Sequence, residues 1–179
     1  MSDDQVKFKR HCELSVKFPL QSKFHEAENF FWDKDYIKIS DDQCFAKITD
    51  AAIIICNKNY SGNHRQGMIP MGNVINNTKC YAWFPQLAIV KNGKFIAPTK
   101  SGWENTISDD GKTIIEVNAD YKNDHNISPN VYRVVFMKDI ENNSYKFIGV
   151  FQEKSTFRQN HQPVTKVYEQ VDDKFKIIR

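Results

Sequence analysis

The sequence predicts a mainly β fold with one or two short helices, built on a curved antiparallel sheet that closes into a small mixed barrel. Three observations carry this. Val131–Phe151 places two β-rich runs, VYRVVFMKDI and YKFIGVF, on either side of the polar connector ENNS, which is a hairpin pattern. Asn92-Gly93 and Asp110-Gly111 mark two further hairpins, because both dipeptides favour the type I′ turn whose twist matches paired strands. The strand Val131–Met137 is apolar on both sides of its alternation, with Val131, Arg133, Val135 and Met137 on one face and Tyr132, Val134 and Phe136 on the other. Such a strand is central: one face meets a barrel interior and the other a helix or second sheet.

The elements follow in order. Phe8, Arg10, Cys12, Leu14 and Val16 alternate against polar neighbours, so Val6–Phe18 reads as a strand that Pro19 ends. Ser22–Trp32 puts Phe24, Ala27 and Phe31 on one helical face, with Ser22 as N-cap. Asp41 and Asp42 either cap another turn or precede a strand through Phe45 and Ile48. Ala51–Cys56 is rich in β-branched residues and is expected to be a buried strand. Asn57–Asn77 carries Gly62, Gly67, Gly72 and Pro70 among polar residues. A loop of that length inside a compact domain is uncommon, and such loops often carry function.

Hairpins then succeed one another. Cys80–Val90 joins Lys94–Ala97, Glu104–Ser108 joins Lys112–Val117, and Asp120–Asn130 is a polar connector into the central hairpin. Val164–Tyr168 and Lys174–Ile178 close the sheet. Gly149, between Ile148 and Val150, marks a bend. No internal repeat or linker interrupts residues 1–179, which read as one domain of about eight strands.

Composition narrows the function classes. The chain has 179 residues, 40% hydrophobic and 26% charged, enough for a core that buries roughly 70% of the unfolded surface. No apolar run reaches membrane-spanning length, and the charged N-terminal stretch lacks an apolar signal region. A cytoplasmic, membrane-free protein with free thiols at Cys12, Cys44, Cys56 and Cys80 is expected. Lys and Arg number 25 against 22 Asp and Glu, a net charge of +3 that permits a polyanionic partner without requiring one.

Catalytic and metal motifs are absent. The five histidines lack H-x-H or H-E-x-x-H spacing, and the cysteines form no C-x-x-C pair; no cofactor or metal is expected. His64 beside Asn63 matches a nuclease site only in part. Asp109 or Asp110 with Glu116-Val117-Asn118 mimics a metal-nuclease carboxylate set with Asn in place of its Lys. What remains is an aromatic, basic and amide decoration. Aromatic rings stack on bases, Arg and Lys neutralise phosphates, and Asn offers a paired donor and acceptor to a base edge.

YKFIGVF, a polar loop and then TKVYEQV resemble the DNA-reading modules of bacterial restriction and defence systems, over roughly Cys80–Val171. That resemblance implies a PUA/SRA-like barrel, which tests a base for modification, or a B3-like barrel, which lays loops in the major groove. The SRA-like alternative implies a flipped base between aromatics and an acidic or amide reading group, for which Asp120 and Asp124 are candidates. The leading expectation is a DNA-binding recognition module, acting on duplex DNA, with a nuclease domain or subunit as a candidate companion. Tyr60, Arg65, Trp83, Trp103, Asn105 and Arg158 are the expected contacts. One alternative is a metal-dependent DNA endonuclease using Asp110 and Glu116 or the His64 region. Another is a ligand- or protein-binding barrel with Trp83, Phe84 and Trp103 lining a cavity.

Overall fold

The computed structural model describes residues 19–58, 67–87, 89–91, 94–96, 103–118, 130–139, 143–157 and 164–179. The strand expected at Val6–Phe18 lies outside them. Two helices precede most of the strands: α1 (Pro19–Phe31) and α2 (Ile48–Cys56). Between them are β1 (Tyr36–Lys38) and β2 (Cys44–Phe45). After α2 come β3 (Met68–Ile75), β4 (Thr78–Trp83), β5 (Ile89–Lys91), β6 (Lys94–Ile96), β7 (Trp103–Ile107) and β8 (Thr113–Asn118). The last four are β9 (Tyr132–Asp139), β10 (Ser144–Phe157), β11 (Val164–Asp172) and β12 (Lys174–Lys176). No helix among the described residues is long and apolar enough to cross a membrane.

The main sheet has the order β3-β4-β9-β10-β11-β8-β7, with β2 added alongside β10. All its pairings are antiparallel except β4 with β9, which is parallel. The sheet is therefore mixed, and it curls. Leu87, just beyond β4, forms a bridge to Asn105 on β7, and the Lys138 N–H donates to the Pro85 carbonyl at 3.4 Å. One bridge is not a strand pairing, so the described residues form a curled sheet and not a closed barrel.

Curling separates two cores. On the outer face, Phe31 stacks on Phe45 and Phe45 meets Phe136 edge-on, and Val134, Phe147 and Val150 join them beneath Ala51, Ala52 and Ile55 of α2. On the inner face, Trp83, Ile114, Val135, Met137, Phe151 and Tyr168 form a second cluster. Val135 and Met137 point inward while Val134 and Phe136 point outward, as the alternation of β9 requires.

Gly149 bends β10. The register shifts between Phe147 and Gly149, and Gly149 adopts φ +125°, a backbone region nearly closed to other residues. The extra residue lets Val150 rejoin the outer cluster and Phe151 the inner one, where plain alternation from Phe147 would reverse both.

Four expectations need correction. Ala51–Cys56 is not a strand but the body of α2. Asp50 sets the helix start: its carboxylate accepts the Lys47 N–H at 3.0 Å while its own N–H donates to the Lys47 carbonyl. Asn57 ends the helix in a left-handed conformation with φ 48°. The Asn57–Asn77 loop shortens, because Met68–Ile75 is β3 and Asn76-Asn77, both at positive φ, form the tight β3–β4 turn. Pro70 fits there because β3 is the end of the sheet. Cys80–Val90 is not one strand: Thr78–Trp83 belongs to the main sheet, and Ile89–Lys91 pairs separately with Lys94–Ile96. Finally, β12 pairs with β1 and not with the main sheet. Arg179 beyond it fastens α1, its Nη2 donating to the Phe31, Trp32 and Lys34 carbonyls at 2.8 Å each.

Candidate functional site

Residues directly opposite across antiparallel strands share a face. Asn105 on β7 faces Glu116 on β8, which faces Lys166 on β11. One step along, Trp103 faces Asn118, and Asn118 faces Val164. One step the other way, Ile107, Ile114 and Tyr168 are neighbours, and Tyr168 faces Glu153 of β10. Ile114 and Tyr168 belong to the inner cluster, so all three rows line the inner face. The curled sheet thus grades from an apolar floor at Ile114 to a polar row of amide, carboxyl and ammonium, with the Trp103 ring at its margin.

This polar row is sunk into protein. Asn105, Asn118, Lys166, Arg133 and Glu153 are all buried, and Glu116 and Trp103 are half-buried. Buried charges are costly unless neutralised and hydrogen-bonded, and the compensation here is partial, since Arg133 Nε and Nη1 and Glu153 Oε2 have no hydrogen-bond partner. The Tyr168 hydroxyl donates to Glu116 Oε2 at 2.8 Å. Arg133 Nη2 lies 3.9 Å from Glu153 Oε2, and Thr156 Oγ1 donates to the other Glu153 oxygen. The Arg133 guanidinium sits 4.0 Å from the Tyr168 ring centroid and 5.2 Å from that of Trp83. The Lys166 ammonium lies 5.6 Å from the Trp103 ring, a cation–π distance.

The electrostatics of Glu116 follow from this setting. Burial pushes its carboxyl above the ordinary carboxylate value, and Arg133, the Tyr168 hydroxyl and Lys166 only partly offset that. Tyr168 is pushed up as well, first by burial and then by the negative charge of Glu116. Two buried acceptors lack a hydrogen-bond donor from the protein: Glu153 Oε2, which has only the 3.9 Å approach of Arg133, and Asn105 Oδ1. Asn105 donates from Nδ2 to the Gln86 carbonyl at 3.2 Å, but its buried Oδ1 has no protein donor. The arrangement can accept hydrogen bonds from a planar, donor-bearing ligand and stack it at Trp103.

The expected contact residues separate. Trp103 and Asn105 come together at the margin of the inner face. Trp83 is 6% exposed, with its ring centroid 5.1 Å from that of Tyr168; it backs the polar network from inside and offers no surface to a ligand. Tyr60, Arg65 and Arg158 lie outside the described residues, as do Asp120 and Asp124. Arg133, Glu153 and Tyr168 were missed as site residues. Their signal was a charged residue set within an otherwise apolar strand face, at Arg133 between Val131 and Val135.

The nuclease constellation of Asp110 and Glu116 does not assemble, and the alternative site around His64 lies outside the described residues. Asp110 is an exposed turn residue that accepts from Ser108 Oγ at 2.6 Å and from the Lys112 N–H at 3.0 Å. Those bonds hold its carboxyl below the usual range. Glu116 stands in mid-strand on the inner face, and no metal-ligating cluster occurs among the described residues. The apolar-cavity alternative fails as well, since Phe84 stacks on Phe136 in the outer core while Trp83 lies in the inner one. A cleft of about 720 Å³ does open elsewhere, between the β3–β4 turn and β12, lined by Tyr36, Val74, Tyr132 and Phe175; it contains none of the polar row.

Comparison with curated proteins finds no match. Among solved structures, the chain is similar to the 5-hydroxymethylcytosine-specific restriction enzyme AbaSI, with a TM-score of 0.58 at 19% identity. The similarity covers 97% of this chain and 53% of that one, so the chain spans about half the length of the enzyme it matches. The family model of the SET and RING associated (SRA) domain matches residues 30–177. That stretch runs from the end of α1 through β12 and takes in the entire curled sheet. The chain belongs to the SRA domain family, whose members are DNA-binding readers of base modification.

Proposed function

We propose that this SRA domain reads duplex DNA for a modified cytosine, and that the base is taken out of the stack and seated on the inner face of the curled sheet. The burial of the polar row supports extrusion. A base still paired within a duplex cannot reach side chains on the inside of a curled sheet, whereas a flipped nucleotide can. Trp103 stacks on the base. Asn105 Oδ1 accepts from a hydroxyl on the C5 substituent, and Glu116 accepts from the exocyclic amine. In this reading Lys166 and Tyr168 hold Glu116 in place, Tyr60 flanks the duplex, and Arg65 and Arg158 contact its phosphates.

The observation that carries the proposal is the buried, unpartnered Asn105 Oδ1 beside Glu116. A buried acceptor without a donor costs about 1–3 kcal/mol, and a ligand that supplies the donor recovers that energy. By analogy with AbaSI the proposed target is 5-hydroxymethylcytosine. The domain then works in the cytoplasm as the recognition part of a restriction system, with strand cleavage supplied by a nuclease domain or subunit.

Fluorescence anisotropy with matched duplexes carrying one cytosine, 5-methylcytosine or 5-hydroxymethylcytosine tests this. The hydroxymethyl duplex should bind at least about tenfold more tightly than the unmodified one, the equivalent of one satisfied buried acceptor. Equal affinity for all three duplexes would overturn the reading.

A further inference from the structure

A flipped cytosine presents its C5 substituent, its exocyclic amine and its N3–O2 end in that order around the ring, and the polar row offers three side chains in sequence. Asn105, Glu116 and Lys166 stand opposite one another on the adjacent strands β7, β8 and β11, which are spaced about 4.8 Å apart. With the C5 substituent at Asn105 and the amine at Glu116, N3 and the O2 carbonyl fall on the Lys166 side. Two observations put the Lys166 ammonium at that place. It lies 5.6 Å from the centroid of the Trp103 ring, and its charge acts on the Glu116 carboxyl. It is therefore within reach of both the ring that stacks and the group that takes the amine. Arg133, the other buried cation of the inner face, lies instead against the Tyr168 ring.

We infer that Lys166 is a specificity-determining residue: its ammonium donates to N3 and O2 of the flipped base, and together with Glu116 it admits cytosines and rejects thymine and uracils. This rests on the base-flipping reading above and extends it to the far end of the base edge. Cytosine carries a donor at C4 and acceptors at N3 and O2. A uracil-type base carries an acceptor at C4 and a donor at N3. With Glu116 ionised, a carboxylate followed by an ammonium is complementary to the first pattern. Against the second it sets a carbonyl oxygen on the carboxylate and an N–H on the ammonium, and neither pair can form a hydrogen bond. Asn105 cannot make this distinction, because it meets the same hydroxymethyl group on either base. An ammonium has three N–H donors, so contact with the base is compatible with the contacts Lys166 makes inside the protein. A site built to hydrogen-bond one pattern rejects an analogue that leaves its buried groups unpaired.

Fluorescence anisotropy of the full chain tests this, with duplexes carrying 5-hydroxymethylcytosine, 5-hydroxymethyluracil or cytosine opposite an abasic site, so that no base pair has to be broken. The native chain should bind the hydroxymethylcytosine duplex at least about a hundredfold more tightly than the hydroxymethyluracil one, about tenfold for each mismatched contact. Lys166→Met should cut that ratio about tenfold. It should do so equally in a Glu116→Gln background, which a residue acting only through Glu116 would not. Circular dichroism checks that each variant folds; should Lys166→Met not fold, Lys166→Gln, whose carbonyl can accept from N3–H, should cut the same ratio. A native ratio near one, or a ratio that the Lys166 variants leave unchanged, would overturn the inference. If the hydroxymethylcytosine duplex still outbinds cytosine, the reading of the C5 substituent survives that result. Equal binding of hydroxymethylcytosine and cytosine would overturn that reading and the inference with it.

Discussion

Glu116 sits where the chemistry of the inner face is densest, with Asn105 and Lys166 beside it on neighbouring strands and the Tyr168 hydroxyl bonded to its carboxylate. Its carboxyl pKa lies above the ordinary 4.5 because burial outweighs the nearby cations. A carboxyl raised in this way binds its proton more tightly in the folded state than in the unfolded one. Its contribution to stability is complete below pH 4.5 and is lost as pH rises through the folded value. Glu116→Gln removes that titration. The melting temperature of the native chain should therefore fall relative to Glu116→Gln as pH is raised from about 4.5 towards neutrality, and parallel curves would contradict the assignment. Tyr168→Phe takes away the donor and leaves a buried oxygen unsatisfied. Thermal or denaturant unfolding should show a loss of about 1–3 kcal/mol.

Individual elements depend on backbone choices that vary in how openly the sequence declares them. Gly149 was legible as a bend, and its geometry is unforgiving. A Cβ there would stand 2.9 Å from the Asp172 carbonyl oxygen and 2.5 Å from Gln170 Nε2, at φ +125°. Gly149→Ala should destabilise by about 2–4 kcal/mol in chemical denaturation; a change below about 0.5 kcal/mol would show that β10 does not need the bulge. The Val131–Phe151 and Asp110-Gly111 hairpins were legible because period-two alternation and turn chemistry agree there. α2 was not, since three consecutive isoleucines carry strong β propensity. Tertiary packing overrides that preference: Ile55 is buried beneath the sheet, and Asp50 and Asn57 cap the two ends. The Asn76-Asn77 turn was readable in principle, but the polar residues around it masked the strand Met68–Ile75. For the proposed site, the sequence offered Trp103 and Asn105 as an aromatic and an amide beside a turn, and the structure sets them on one face. The burial of Trp83 and the convergence of Arg133, Glu116, Glu153 and Tyr168 were not legible, because both depend on how a seven-strand path curls and on three register shifts in the pairings of β10.

At the scale of the whole molecule, the net charge of +3 is too small to define a binding surface alone, so affinity and selectivity must come from different places. Phosphate contacts would supply affinity that falls steeply with salt, because each contact releases counterions. The inner row would supply selectivity that salt leaves nearly unchanged, because its groups are buried and bind a base edge and not the backbone. The most direct test is the ratio of affinities for a 5-hydroxymethylcytosine duplex and its unmodified twin, measured for the native chain and for Asn105→Ala at two salt concentrations. The account predicts that native selectivity persists as salt rises, and that Asn105→Ala lowers the ratio about tenfold with little loss of affinity for unmodified DNA. An unchanged ratio in Asn105→Ala, or a native ratio near one, would contradict it.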